Sequence, residues 1–279
     1  MQNLEKHKLI FPNLNLLKQE QNLFFMGSCF SDVISEKINS TLLANALSNP
    51  FGTLFHPHAI LQNLKLLLVV KSANPEFSHP TIETFLGNSI YAANNHFHSL
   101  YHAYKFHFNN KEILLKNITQ TTSKTLDFLE NCDALFITLG TAVYYHHKPT
   151  DTIVGNCHKL PQSEFVKSIS DVQSLQQQIQ EIRDVAMQLS PGKPVIFTIS
   201  PIRHLRDGML TSAVSKSLLQ AALFETLGAE NYSNPMFYFP SFEFVREEKA
   251  ESPKFKFDGM HITESMEDAI FEKFKQTYF

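Results

Sequence analysis

The sequence lacks an apolar run long enough to cross a bilayer. Its longest apolar stretches, such as Leu64–Val70 with Lys65 inside it, fall far short of the roughly 20 residues that a spanning helix needs. An excess of charge is missing too: 24 Lys+Arg stand against 27 Asp+Glu in 279 residues, a formal net charge of −3. With a pI of about 6.5, the chain carries no electrostatic footprint for nucleic acid. The opening stretch MQNLEKHKLIFPNLNLLKQE alternates polar and apolar residues without a continuous apolar leader core, so a cytoplasmic protein without membrane attachment is expected. Cysteine is scarce. Cys29, Cys132 and Cys157 leave one thiol over in any disulfide scheme, which points to reduced thiols. Repeats, low-complexity segments and long charge runs are absent, so residues 1–279 read as one domain.

What is present is apolar residue in quantity, 43% hydrophobic and 12% aromatic. That is enough for a sizeable core and excludes a disordered chain. Short continuous apolar runs at residues 22–26 (NLFFM), 134–139 (ALFITL), 194–199 (PVIFTI) and 236–239 (MFYF) read as buried strands. Helical spacing follows at 31–43, 57–70, 163–189, 210–227 and 263–274. Residues 142–154 resemble a hairpin about a Pro-Thr-Asp turn, and 111–118 fit a strand or the start of a helix running to 129. Residues 75–107, rich in His and aromatics, read as irregular. Buried strands alternating with helices predict a mainly parallel sheet in a three-layer α/β/α domain, with the His/aromatic segment and the hairpin as insertions. Sites in such sheets lie beyond the strand C-terminal ends, which singles out Gly27-Ser28-Cys29, Gly140-Thr141-Ala142, Ser200-Pro201 and the segment reaching Asp258.

Gly27-Ser28-Cys29-Phe30-Ser31 lies between a predicted strand and a helix. A thiol there gains from the helix N-terminus, which favours the nucleophilic thiolate. The competing reading is a tight turn with Ser28 or Ser31 as cap and Cys29 as a small filler. Asp258-Gly259-Met260-His261 can turn a carboxylate and an imidazole into one crevice, the first fixing the tautomer of the second. Otherwise Asp-Gly is simply a turn and Thr263 a cap. In Asn49-Pro50-Phe51-Gly52-Thr53, Gly52 can bring an N–H to a ligand as an oxyanion donor, or the segment is an ordinary loop.

These segments, with Leu139-Gly140-Thr141-Ala142, Asn156-Cys157-His158-Lys159 and Ser200-Pro201-Ile202-Arg203-His204, resemble in order the GSCFA family. Ser31 stands where that family has alanine. The family is similar to the SGNH/GDSL hydrolases, and the resemblance implies their flavodoxin-like fold. It implies Cys29 at the nucleophile position, Gly52 as oxyanion donor, and Asp258 and His261 as the remaining triad members. The hydrolases' oxyanion Asn falls at Ala142, with Thr141 or Asn156 as substitutes. Removing one such donor lowers rates by about 100- to 1000-fold.

Among the other histidines, His96 and His98 can share one face of a strand as a metal pair would, although interleaved aromatics favour lid packing and no metal or cofactor is expected. The resemblance makes His98 a pocket residue. Cys157 and His158 can pair, but neighbours in an extended segment point to opposite sides. His204 lies at the correct sheet edge for substrate, and Arg203 and Arg206 can hold an anionic group. The expected function is hydrolysis or acyl transfer on a small-molecule or carbohydrate ester, with Ser28 as the variant nucleophile. The alternative is a non-catalytic module binding a carbohydrate or acidic ligand. Oligomeric state is not legible.

Overall fold

A computed structural model describes residues 14, 16–41, 43–73, 78–227, 236–247 and 253–279. The leaderless reading of the first residues, and Pro75, lie outside the described residues. Five strands form the central sheet: β1 (Asn22–Gly27), β2 (Asn45–Ser48), β6 (Ala134–Leu139), β10 (Val195–Ile199) and β11 (Met236–Phe239). All pair in parallel, in the order β11-β10-β6-β1-β2. Numbered by appearance within this sheet, the order is 2-1-3-4-5, so the winding reverses between β1 and β6.

The apolar strand runs form a sheet because both of its faces are covered. Phe24, Met26, Leu135, Ile137, Val195 and Phe197 point into one core, packed by α2 (Pro57–Ser72), α4 (Lys111–Glu130), α5 (Val172–Leu189) and α6 (Met209–Leu227). Their neighbours Leu23, Phe25, Ala134, Phe136 and Ile196 point the other way, against α1 (Cys29–Ser40), α7 (Ser241–Glu247) and α8 (Glu264–Tyr278). Phe25 stacks on Phe136 at 4.6 Å, and Phe136 meets Phe274 of α8 at 5.2 Å. Fully burying such a side chain contributes about 1.5–3 kcal/mol. The result is a three-layer α/β/α architecture, as the strand–helix alternation predicts.

Two expectations about the insertions are corrected. Residues 75–107 are not irregular where described: α3 (Ser78–Leu86) precedes an antiparallel sheet of β3 (Ile90–Ala93), β4 (His96–Ser99) and β5 (His107–Phe108). Aromatic and His residues fit the pleated, half-buried surface of β4. The predicted helix over 163–189 begins only at Val172, capped by Asp171 accepting from Ser174 N at 2.7 Å. Ahead of it, β9 (Phe165–Ile169) pairs with β7 (Val143–His147), whose other neighbour is β8 (Thr152–Val154). The stretch Phe165–Ile169 fits both periods, and pairing with β7 decides it. Residues 111–129 resolve as helix, with Asn110 as the cap. The short edge strand β2 and the helix α7 had no periodic signal.

Candidate functional site

The winding reversal opens a crevice between the exits of β1 and β6, and Cys29 stands there as the first residue of α1. The turn that presents it is held from both sides. Gly27 has φ +138°, and a Cβ at this position would overlap the Thr138 carbonyl oxygen of neighbouring β6, so only glycine fits. Asn49 accepts from Gly27 N at 2.8 Å and donates through Nδ2 to Ser28 O at 3.3 Å and to Asp32 Oδ1 at 3.0 Å. Ser28 is buried, and its Oγ accepts from Phe30 N at 3.3 Å. It is the helix cap, with Cys29 beyond it half-buried at the helix N-terminus.

Burial pushes the Cys29 thiol up, and the Asp32 carboxylate adds to this. Against these act the amides of Cys29 and Phe30 and the Lys216 ammonium. Lys216 is the residue that the sequence reading missed. It lies on α6 and is 3% exposed, with Nζ donating to Gly140 O and Ser200 O at 2.6 Å each. Burial pushes its amine down to about 7. A signal was available, because Lys216 falls on the inward stripe Ser212, Ser215, Leu219, Ala222 and Leu223.

Asp258 and His261 meet as the motif suggests. Asp258 Oδ2 lies 2.6 Å from His261 Nδ1, while Oδ1 accepts from Met260 N at 2.8 Å and His261 N at 3.0 Å. The imidazole and these amides hold the carboxyl down to about 2. The Asp-Gly turn coexists with the pair, for Gly259 has φ +67° and donates to Lys256 O. The loop is fastened beside the β10 exit. Arg203 N donates to Met260 O at 3.1 Å, and the Arg203 guanidinium lies 3.5 Å from the centre of the Phe255 ring. Arg203 therefore supports the loop. Among the described residues, no hydrogen bond joins Cys29 Sγ to His261, and Nε2 has no protein partner.

The oxyanion candidates are differently engaged from expectation. Gly52 N donates to Asn49 O at 2.7 Å, so this amide is committed within its own turn. Glycine is required there by φ +82° and by a close approach to Ala103. Thr141 Oγ1 lies 2.9 Å from Ser215 Oγ and accepts from Val143 N at 3.0 Å. Ala142 is fully buried, its N donating to Ser215 Oγ at 2.7 Å. The Thr53 amide makes no hydrogen bond among the described residues, and its neighbour Leu54 N donates to Gly27 O at 2.8 Å.

A cavity of about 880 Å³ opens beside this edge. Thr141, Asn156 and His204 line it, together with Tyr144, Lys159 and Arg206; Cys29 and His261 do not. Burial, and then Lys216, push His204 down. Asn156 uses its Oδ1 to accept from His158 N at 2.8 Å. His158 and His98 do not line this cavity. Buried His158 Nε2 lies 2.9 Å from Ser99 O and 3.1 Å from His102 O, tying its loop to the His/aromatic sheet. His98 is buried against Ala93 O at 3.2 Å. His96 and His98 share a strand with ring centres 6.3 Å apart. Among the described residues no group of three or more His, Cys, Asp or Glu is arranged to hold a metal, and no helix is long and apolar enough to cross a membrane.

The GSCFA family model matches residues 22–274. The chain belongs to the GSCFA family. No curated protein matches it. In this GSCFA chain the matched span runs from the strand that ends at the Cys29 turn through the Asp258–His261 loop into the last helix. The two segments that carry the candidate chemistry are thus both inside it.

Proposed function

We propose that this GSCFA protein is an ester hydrolase or acyltransferase of the SGNH type, with Cys29 as nucleophile and His261 and Asp258 completing a triad. The observation that carries the reading is the preformed 2.6 Å Asp258–His261 pair, its Nε2 uncommitted, on a loop fastened at the same sheet edge as Cys29. Asp258 accepts from Nδ1–H, which leaves the Nε2 lone pair to act as base. His261 Nε2 takes the thiol proton as Cys29 Sγ attacks the acyl carbon, and the carbonyl pair moves to oxygen. Collapse forms a thioester and expels the alcohol, which takes the proton from His261. Water or an acceptor alcohol then attacks the thioester, giving its proton to His261 and returning the thiol. Sγ and Nε2 approach each other across the bound ester, since catalytic hydrogen bonds are often formed only in the complex. The Cys29 and Thr53 amides receive the oxyanion, in place of the committed Gly52 amide.

The recognised part of the ester occupies the 880 Å³ cavity. Tyr144 and Tyr145 offer ring faces and hydroxyls there, and Arg206 and Lys159 offer positive charge, which suits a hydroxylated or acidic group such as an acylated sugar. The test is turnover of 4-nitrophenyl acetate by wild type, Cys29→Ala and His261→Ala. Wild-type turnover at least about 100-fold above both variants is expected, and equal rates for wild type and Cys29→Ala refute the mechanism.

One observation favours a second reading, a binding module without turnover. Ala142 is fully buried where the hydrolases keep an oxyanion Asn, and the large cavity is lined without Cys29 or His261. Thermal stabilisation by an acidic sugar, lost in Arg206→Ala, with no ester turnover in any variant, selects it.

A further inference from the structure

Lys216 is a buried cation with no carboxylate on its nitrogen among the described residues. Its Nζ donates to the carbonyls of Gly140 and Ser200, each 2.6 Å away, just past the ends of β6 and β10. An ammonium has three donors, so one proton is not assigned to a protein acceptor among the described residues. The sheet register fixes where this charge lies. Gly27 pairs with Thr138, and Leu139 with Ile199, so position 29 leaves the sheet level with Gly140 and Ser200. Neighbouring strands are about 4.8 Å apart, which sets the Lys216 charge roughly one strand from the Cys29 turn. His261 approaches the same edge from the opposite layer, since its loop leads into α8 while Lys216 hangs from α6.

We propose that Lys216 is a positioning cation for Cys29, supplying from beneath the sheet edge the buried positive charge that accompanies the thiolate. This deepens the proposed function and rests on it only in taking the Cys29 thiolate as the working species. The other groups around the pair are few. Asp32 on α1 opposes the thiolate, and it is itself held by Ser48 Oγ at 2.6 Å and Asn49 Nδ2 at 3.0 Å. Glu243 on α7 acts on Lys216 from the far side, with its carboxylate engaged by the Tyr238 hydroxyl and by Gln220. His204 feels Lys216 from beyond β10. Arg203, Arg246 and Lys254 line, with Lys216, a second cavity of about 270 Å³. Burial lowers the Lys216 amine and the Cys29 charge opposes that, leaving it at about 7, because opposite charges stabilise one another.

The experiment is the pH profile of Cys29 alkylation by iodoacetamide in the full chain, followed by peptide mass spectrometry so that Cys132 and Cys157 are read separately. Lys216→Gln keeps donors for both carbonyls and removes the charge. It should move the Cys29 midpoint up by about one pH unit and slow alkylation about tenfold at pH 7. Lys216→Arg, which keeps the charge, should stay within about threefold of wild type. If Lys216→Gln does not fold, Lys216→Met carries the same expectation. An unchanged midpoint in the charge-removing variant overturns the proposal and leaves Lys216 a structural tie between strand ends. Failure of the triad itself reads differently, as ester turnover that survives Cys29→Ala.

Discussion

Acid should unfold this protein through three buried histidines. His56, His102 and His158 are each at most 4% exposed. Burial pushes their imidazoles from 6.5 down to about 3, 3 and 4 respectively. Their surroundings explain why protonation is resisted. His56 Nδ1 accepts from His58 N at 3.1 Å, and His158 Nδ1 is buried with no partner among the described residues to take up a second proton. His102 meets Ser99 Oγ at 2.6 Å through Nδ1, while its Nε2 is buried without a partner among the described residues. The folded pKa lies below the unfolded one, so the unfolded chain binds more protons. Stability is therefore full above pH 6.5 and lost as pH falls from there towards 3–4. At pH 5 each site contributes a loss of about 2 kcal/mol, set by the 1.5-unit gap between 6.5 and the working pH and insensitive to how low the folded value lies. Three sites together remove about 6 kcal/mol, comparable with the whole stability of an ordinary domain, about 5–15 kcal/mol. Urea unfolding followed by circular dichroism at pH 7 and pH 5 measures the difference. His102→Phe, flanked by Phe51 and Phe106 at ring distances of 5.0 and 4.9 Å, removes one titrating group and should shrink that difference by about 2 kcal/mol. A variant that loses as much stability as wild type between the two pH values refutes this account.

Three substitutions probe the turn that presents Cys29. Gly27→Ala forces a Cβ onto the Thr138 carbonyl at φ +138° and should destabilise by about 4 kcal/mol or more, read as a lowered melting temperature; a near-wild-type melt would mean that β1 and β6 separate easily. Asn49→Ala leaves the buried Gly27 N–H unpaired and should cost about 1–3 kcal/mol, whereas Asp32→Asn, which keeps a group at that position, should cost less and ease Cys29 alkylation by removing the carboxylate that opposes it.

The sequence alone determined the layer plan. Four continuous apolar runs separated by helical spacing can bury both faces only as a parallel sheet between helices, and Gly27 and Gly140 mark where the chain leaves it. The Asp258–His261 pair was legible because the spacing closes it within one turn, with no help from the rest of the fold. Tertiary structure decided what depends on partners distant in sequence. Phe165–Ile169 fits either helical or strand spacing, and only pairing with β7 selects the strand. Gly52 sits where Ala103, far along the chain, leaves no room for a side chain. Lys216 reads as one more polar residue on a helix until the exits of β6 and β10 bring two carbonyls to its nitrogen. Local pattern fixes periodicity and turns, whereas the charge around a thiol is summed over every strand end and helix that the fold gathers at one edge.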